Sequence, residues 1–307
     1  MQGKRLTIER SAEAQAFIDS FVKGDIFGEE VFEKEKLPAC LAREAHTQLC
    51  TQSMDGKELQ FANPLQETMY GESHVYTFTP QNYERIVIFI HGGGYVFNAN
   101  SDYAATADLY STALKAKVYM PMYALAPQGT WEECYQLVGR VYADAIEEGK
   151  PVLFMGHSAG GGIALGFAEA LIEAGQPLPE KLVLFSPWID VELNNPKISE
   201  HAQRDLFLAR HGLARAGKFW ASSLDTSDWR VSPKNYAHLE KLPPMFISVG
   251  TDEIFYPDIT EFFDAAVTAG NGGTLLTGKG LFHEFPMFAA FPEGHDSCEL
   301  VADFILG

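Results

Sequence analysis

The sequence predicts an α/β protein built on a mostly parallel sheet with helices on both of its faces. From about residue 75 onward, short runs of apolar, β-branched and aromatic residues alternate with longer segments of helical periodicity. One of these runs, residues 86–90, is apolar throughout, as expected for a strand that is covered on both faces. The chain has 307 residues, 46% of them hydrophobic, which is enough to bury a large core.

The predicted elements follow one another in the order that a parallel sheet requires. Seven segments are predicted strands, at residues 75–79, 85–90, 117–123, 151–155, 181–185, 244–249 and 274–277. Helices are predicted at residues 101–115, 131–148, 160–174 and 257–269. Because the ligand crevice of such a sheet lies beyond the carboxyl ends of its strands, motifs that carry chemistry should directly follow strands.

Two segments fall outside this alternation. Residues 8–50 are charged and predicted to be helical, and residues 188–232 carry several aromatic side chains among polar ones. We expect residues 1–60 and the insertion 188–232 to pack together as a lid on a single domain that spans residues 1–307.

Composition disfavours several classes of protein. The chain has 23 Lys and Arg against 41 Asp and Glu, a net charge of −18, which argues against a nucleic-acid or anionic-lipid partner. No apolar stretch is long enough to span a membrane, and no signal peptide is predicted. The cysteines are far apart and lack zinc-site spacing, so we expect reduced thiols, no metal and a cytoplasmic protein. They are Cys40, Cys50, Cys134 and Cys298.

The sharpest motif is Gly-His-Ser-Ala-Gly-Gly-Gly at residues 156–162, directly after the predicted strand 151–155. A strand that turns abruptly into a helix needs glycines beside the bend, and the residue in the middle is then exposed at the top of the sheet. The G-x-S-x-G pattern is weak by itself, but a strand before it and a helix after it make it specific. Ser158 is therefore the predicted nucleophile.

A second glycine-rich motif, His-Gly-Gly-Gly-Tyr at residues 91–95, follows the predicted strand 85–90. The successive glycines Gly92, Gly93 and Gly94 leave backbone N–H groups uncovered, as an oxyanion hole requires. Such a loop could instead cradle a phosphate. However, no Lys-Ser/Thr pair follows it, and position 97 is Phe where a dinucleotide-binding fingerprint has Gly.

A serine nucleophile needs a base and a carboxylate that orients the base. Of the nine histidines, His283 follows a short predicted strand near the chain end and precedes a predicted apolar helix, which fits the base. Asp252 and Glu253 follow the strand 244–249, and either carboxylate could reach His283. Asp258 is better explained as a charge in the first turn of the next helix.

With these motifs in place, the sequence resembles the hormone-sensitive lipase family of α/β-hydrolases, the esterases with an HGGG loop. The resemblance runs from about residue 85 to 305. It also rests on Tyr-Ala-Leu-Ala-Pro at 123–127, Ser-Pro-Trp-Ile-Asp at 186–190, Val-Ser-Pro at 231–233 and Leu-Pro-Pro at 242–244.

The resemblance implies an eight-stranded, mostly parallel sheet, an N-terminal lid and carboxylesterase activity without a cofactor. It implies that Ser158 is the nucleophile and His283 the base. The N–H groups of Ala159, Gly93 and Gly94 would form the oxyanion hole, with Gly92 supporting the turn.

The sequence departs from the family's pattern around the site. The family often has Asp before the nucleophile and Glu after its Tyr-Arg-Leu-Ala-Pro motif, where this chain has His157 and Gln128. When the family's spacing is counted back from His283, the position of its triad acid corresponds to Glu253. When it is counted forward from the strand 244–249, that position corresponds to Asp252. We favour Glu253 and keep Asp252 as the alternative acid.

These features predict hydrolysis of a small-molecule, short-chain carboxylic ester. Six aromatic residues are candidates for a compact acyl pocket or, alternatively, for lid and core packing: Tyr95, Phe97, Trp188, Phe207, Phe219 and Trp220. An amidase or peptidase with the same triad is the alternative function, and a non-catalytic binding module on this fold is the other. The sequence leaves open whether the chain forms a homo-oligomer.

Overall fold

The structure, a computed structural model, describes residues 3–20, 49, 58–288 and 291–307. Nine strands belong to one sheet: β1 (Lys4–Glu9), β2 (Leu65–Tyr70), β3 (Ser73–Phe78), β4 (Arg85–Ile90), β5 (Ala116–Pro121), β6 (Val152–His157), β7 (Lys181–Phe185), β8 (Met245–Gly250) and β9 (Gly273–Lys279). Their order across the sheet is β1-β9-β8-β7-β6-β4-β5-β3-β2. All neighbours are parallel except β5 with β3 and β3 with β2.

Helices connect most of the parallel strands. They are α1 (Ala12–Ser20), α2 (Ser101–Ala113), α3 (Trp131–Glu147), α4 (Ala159–Glu173), α5 (Ile198–Ala202), α6 (Arg210–Ala221), α7 (Tyr256–Thr268) and α8 (Pro292–Leu306). Local sequence fixes where two of them begin. The Asn100 side chain accepts from two N–H groups of α2, and Thr130 with Glu133 forms a capping box at the start of α3.

The α/β class, the parallel sheet and the seven predicted strands are confirmed. The implied count of eight strands is too low, because β1 and β2 lie at the two edges of the sheet. The prediction that the helical segment starts at residue 8 is also wrong, since β1 runs to Glu9 and pairs with β9. Polar and apolar residues alternate in β1, and tertiary pairing decides such a short segment.

Most of the predicted N-terminal lid, residues 21–48 and 50–57, lies outside the described residues, and so do Cys40 and Cys50. Cys134 and Cys298 are free thiols. Among the residues that the structure describes, no helix combines the length and apolarity that a bilayer crossing demands.

The insertion 188–232 contains α5 and α6 and is anchored at its base. Trp188 is fully buried and donates from its indole N–H to the Asp190 carbonyl at 2.7 Å. The Ser232 hydroxyl accepts from the Val191 N–H at 3.0 Å and donates to the Thr226 carbonyl at 2.7 Å. The two ends of the insertion are therefore held together by hydrogen bonds in a dry environment.

Lys234 links this base to α7. Its ammonium contacts the buried carboxylates of Asp190 and Asp258, at 3.1 Å in the case of Asp258. Burial raises the pKa of Asp258, and the nearby Lys234 lowers it. One cation thus offsets the repulsion between two carboxylates that have little contact with water.

We expect Lys234→Met to lower the free energy of unfolding by about 2–3 kcal/mol, because two buried carboxylates lose their shared cation. This loss of stability is smaller than that expected for a fully buried ion pair, because a quarter of the Lys234 side chain is exposed. Urea titration at neutral pH measures the loss.

The matched control is Lys197→Met, which removes a lysine that pairs with Glu261 of α7 where both side chains are exposed. This change should leave the unfolding midpoint nearly unaltered. Equal losses in the two variants would contradict the role given to Lys234.

Candidate active site

The predicted site segments all follow strands at one edge of the sheet. The glycine loop 91–94 follows β4 and Ser158 follows β6, and these two strands are neighbours with Ile90 opposite Gly156. Glu253 follows β8 and His283 follows β9, which are also neighbours. Since the carboxyl ends of parallel strands meet at the same edge, the topology gathers the four segments there.

Ser158 lies in a strained turn between β6 and α4. Its φ is 49° and its ψ is −116°, an unfavourable conformation for a residue with a side chain. The turn is held by the Ser158 N–H, which donates to Phe185 at 2.9 Å, and by the Ser158 carbonyl, which accepts from Trp188 at 2.8 Å. This is the exposed-serine geometry that the motif predicts, although only 5% of Ser158 is accessible here.

Glycine is required where α4 approaches the strands. A Cβ on Gly160 would lie 2.1 Å from the carbonyl oxygen of Ile90 and 2.4 Å from that of His91. A Cβ on Gly156 would lie 2.3 Å from the Gly160 carbonyl. The helix N-terminus, where the backbone dipole favours negative charge, can therefore reach the glycine loop only because these side chains are missing.

The glycine loop adopts backbone conformations that favour glycine. The φ angles of Gly93 and Gly94 are 103° and 59°, and a Cβ on Gly93 would lie 2.3 Å from the Phe97 carbonyl. Within the described residues, the N–H groups of Gly93 and Gly94 donate no hydrogen bond. Two unpaired donors therefore lie beside the turn that carries Ser158.

Tyr95 anchors the end of this loop in the core. It is 1% exposed, its ring stacks on Trp220 at 4.4 Å, and its hydroxyl donates to the Trp188 carbonyl at 3.2 Å. Trp188 in turn stacks on Phe255 at 5.8 Å. For Tyr95, Trp188 and Trp220, the packing alternative therefore holds and the pocket-lining hypothesis does not.

His283 forms a buried hydrogen bond with Glu253. The distance from His283 Nδ1 to Glu253 Oε2 is 2.9 Å, and neither residue is more than 5% exposed. The edge of the Phe255 ring contacts the imidazole, with centroids 5.3 Å apart. The structure thus brings His283 together with the favoured carboxylate.

The alternative acid Asp252 points to a different partner. Its Oδ1 lies 3.2 Å from Nε of Arg204 in the insertion, and 29% of its side chain is exposed. Its N–H donates to the Leu281 carbonyl at 3.0 Å. The loop therefore directs Asp252 toward the surface and Glu253 inward.

Residues 87–287 match the profile of a family described by its alpha/beta hydrolase fold. The chain belongs to the α/β-hydrolase family. The resemblance and the fold class that the motifs predict are confirmed.

Similar proteins cover most of this hydrolase. An acetyl-hydrolase of Streptomyces hygroscopicus is 27% identical over 225 residues, which are 72% of this chain and 75% of that protein. An esterase of Acinetobacter venetianus is 27% identical over 226 residues, 72% of this chain and 74% of that one. A solved esterase of the bacterial hormone-sensitive lipase family shares the fold, with a TM-score of 0.75, 22% identity and coverage of 88% and 96%.

Burial governs the electrostatics of this hydrolase site. It raises the pKa of Glu253, and the nearby Ser186 hydroxyl and backbone N–H groups lower it in part. Burial lowers the pKa of His283, whereas Glu284 and Asp205 raise it. His283 is therefore neutral at neutral pH, the state in which it can accept a proton.

Sequence reasoning missed Asp205, which fastens the insertion beneath the Glu253 loop. Its carboxylate accepts the N–H groups of Phe207, Leu208 and Ile254 at 2.9, 2.8 and 2.7 Å. Burial raises the pKa of Asp205 to about 6. An Asp directly before an apolar Leu-Phe-Leu run is the pattern of a carboxylate that bonds to the backbone that follows it, and this signal was available in the sequence.

His157, the residue before the nucleophile, packs in the core. It is fully buried between the Phe89 and Phe185 rings, at 5.3 and 4.4 Å. Burial and the nearby His283 hold its pKa well below the usual range. His157 is thus an uncharged residue behind the nucleophile turn.

We expect Gly160→Ala to lower the free energy of unfolding by about 2–3 kcal/mol, because the added methyl group meets two backbone carbonyls that cannot move aside cheaply. Thermal unfolding of this hydrolase followed by circular dichroism measures the change.

Gly139→Ala is the matched control. Its Cβ would make an ordinary contact with the Phe167 ring at 3.5 Å in the middle of α3. Helix propensity then favours a gain of up to about 1 kcal/mol. A neutral Gly160→Ala would contradict the close approach described for α4.

Proposed function

We propose that this chain is a serine carboxylesterase that hydrolyses short-chain carboxylic esters through Ser158, His283 and Glu253. The observation that carries the proposal is the buried hydrogen bond between His283 and Glu253 at the sheet edge where the Ser158 turn also lies. A neutral imidazole oriented by a carboxylate is the arrangement that activates a serine hydroxyl.

The orientation of His283 assigns the role of each ring nitrogen. With Nδ1–H donating to Glu253, Nε2 is left as the acceptor for the Ser158 proton. The Ser158 oxygen attacks the ester carbonyl, and its proton passes to Nε2. The Glu253 carboxylate stabilises the imidazolium that forms.

The developing oxyanion needs donors that are fixed before the reaction. We assign the N–H groups of Gly93, Gly94 and Ala159 to this task, with Gly92 supporting the turn. Gly93 and Gly94 lie in a loop that Tyr95 anchors, and Ala159 begins α4. Each such donor contributes roughly 10²–10³ in rate.

Collapse of the tetrahedral intermediate completes the first half of the reaction. The C–O bond to the alcohol breaks, and imidazolium Nε2 gives its proton to the leaving alkoxide. Water then repeats the sequence on the acyl-enzyme, with His283 again as the base, and releases the carboxylic acid and free Ser158. The reaction balances without a cofactor.

One relative and the packing favour small acyl groups. An acetyl-hydrolase is among the similar proteins. Phe282, the neighbour of His283, contacts Phe17 of α1 and Phe207 of the insertion at 5.4 and 5.5 Å. We propose that these two segments cover the site as a lid and that their rings limit the acyl chain.

We expect the enzyme to hydrolyse p-nitrophenyl acetate and butyrate faster than decanoate, since aromatic rings close the site. Ser158→Ala should lower kcat/KM for the acetate ester by about 10³-fold or more, because the nucleophile is lost. Initial rates across the acyl series measure both effects.

The control is the thermal unfolding midpoint of Ser158→Ala, which should stay at or above that of the unchanged protein. Normal turnover by Ser158→Ala would show that Ser158 is not the nucleophile. Faster hydrolysis of an anilide than of the matching ester would indicate an amidase, and a rate maximum on decanoate would contradict the short-chain preference.

Exchange of the two candidate acids distinguishes them. We expect Glu253→Gln to lower kcat by about 10²–10⁴-fold, because a neutral amide neither orients nor stabilises the imidazolium. Asp252→Asn removes only a contact with Arg204 and should change kcat less than about threefold. A larger loss of kcat in Asp252→Asn than in Glu253→Gln would identify Asp252 as the acid of the triad.

A further inference from the structure

A third carboxylate, Glu284, lies behind the reacting edge. It follows His283 directly, and only 15% of its side chain is exposed. Its φ is 58° and its ψ is 28°, a left-handed conformation that glycine, asparagine and aspartate adopt more readily than glutamate. A glutamate held in such a conformation calls for an explanation beyond the backbone.

The Glu284 side chain contacts residues from three other segments of the site. The Tyr103 hydroxyl of α2 donates to both carboxylate oxygens, at 3.4 and 3.3 Å. Oε1 lies 3.7 Å from Nδ1 of the buried His157, directly before the nucleophile. It also occupies the space beside Gly92, where a Cβ would lie 3.0 Å from Oε1.

The Glu284 backbone adds a fourth link. Its N–H donates to the Ser186 hydroxyl at 3.0 Å, in the segment directly after β7. β7 lies between the strand that precedes Ser158 and the strand that precedes Glu253. One residue therefore contacts the glycine loop, the nucleophile turn and the segment that follows β7.

We propose that Glu284 is a positioning residue that ties the His283 loop to the glycine loop and to the turn carrying Ser158. The proposal rests on the proposed function, because it assigns Glu284 a role in the same reaction. Glu284 touches no reacting atom in it. Its carboxylate keeps the base, the oxyanion donors and the nucleophile in register and places negative charge beside the imidazolium.

The charge of Glu284 is sensitive to pH in a useful range. Burial raises its pKa to about 7, while His283 and the Tyr103 hydroxyl lower it and Glu253 raises it. In return, Glu284 raises the pKa of His283. The titratable groups that face Glu284 are His283, Glu253, Tyr103, Tyr123 and His157.

The direction of the pH effect follows from these groups. Tyr103 and Tyr123 stay protonated, since burial raises their pKa well above 10, and burial keeps His157 uncharged. Among Glu284 and the groups that face it, Glu284 is then the carboxylate with a pKa of about 7, and Asp205, which also acts on His283, has a pKa of about 6. Acidification through pH 7 removes the Glu284 charge and should lower kcat/KM before His283 itself is protonated.

The test is the pH profile of kcat/KM for p-nitrophenyl acetate. In Glu284→Gln, which keeps the shape and loses the charge, we expect the rate at pH 8 to fall about tenfold through misplacement. The acidic limb should move to lower pH by roughly one unit, because the titration of Glu284 is lost and its charge no longer raises the pKa of His283. Glu284→Asp, which keeps the charge and suits the left-handed backbone, should retain the limb near pH 7.

Tyr103→Phe should move the acidic limb of the kcat/KM profile to higher pH. It removes a hydroxyl that lowers the pKa of Glu284, so Glu284 would gain its proton at higher pH. Glu284→Gly should behave like Glu284→Gln even though glycine relieves the backbone strain. Glu169→Gln, which replaces another fully buried acidic side chain on α4, should leave the profile unchanged.

Two results would overturn the proposal. One is a Glu284→Gln profile that coincides with that of the unchanged protein. The other is an equal loss of kcat/KM at every pH in Glu284→Gln, with the acidic limb at its original position, which would indicate a purely structural role. Glu284→Gly repeats this measurement in a variant without the backbone strain.

The rate of labelling by a fluorophosphonate, measured over the same pH range, separates this proposal from the proposed function. If the protein is labelled at Ser158 but cleaves no ester, the ester substrate is wrong, and a shifted labelling limb in Glu284→Gln still supports Glu284. If neither labelling nor hydrolysis occurs, both proposals are overturned.

Discussion

The contact on which the site depends is the approach of the α4 N-terminus to the end of β4. Gly160 lies so close to the carbonyls of Ile90 and His91 that no side chain fits between them. This approach places the start of α4 beside the glycine loop, directly after Ser158, whose φ of 49° is unfavourable for a residue with a side chain. The strain at Ser158 is therefore sustained by packing of the backbone around it.

Burial decides the chemistry of the groups gathered at this edge. Water is excluded from Glu253, His283 and Asp205, so each charge there depends on a specific partner. Glu253 keeps its hydrogen bond to His283, and Asp205 accepts three backbone N–H groups. Because burial disfavours the charged form of His283, the base stays neutral until it accepts a proton. The Glu253 carboxylate is already in place to stabilise the imidazolium that then forms.

Sequence patterns predict what is buried and local, and they fail where tertiary contacts decide. The central strands were predictable because residues such as 86–90 have no polar face. The edge strands β1 and β2 are mostly exposed and polar, so their strand form depends on the neighbour they pair with. The choice between Asp252 and Glu253 depends on which way one loop residue points, and Arg204, far away in the sequence, supplies the outward partner.

The departures from the family's pattern are informative for the same reason. His157 stands where the family often has Asp, and the Glu284 carboxylate lies 3.7 Å from that histidine. The two residues come from different segments, so the surroundings of His157 are not explained by its own segment. A buried carboxylate is costly without polar contacts, and the Tyr103 hydroxyl donates to both oxygens of Glu284, while the Glu284 backbone N–H donates to the Ser186 hydroxyl. Neither ring nitrogen of His157 has a hydrogen-bond partner among the described residues, and the Glu284 carboxylate, 3.7 Å from Nδ1, gives one of them a polar neighbour.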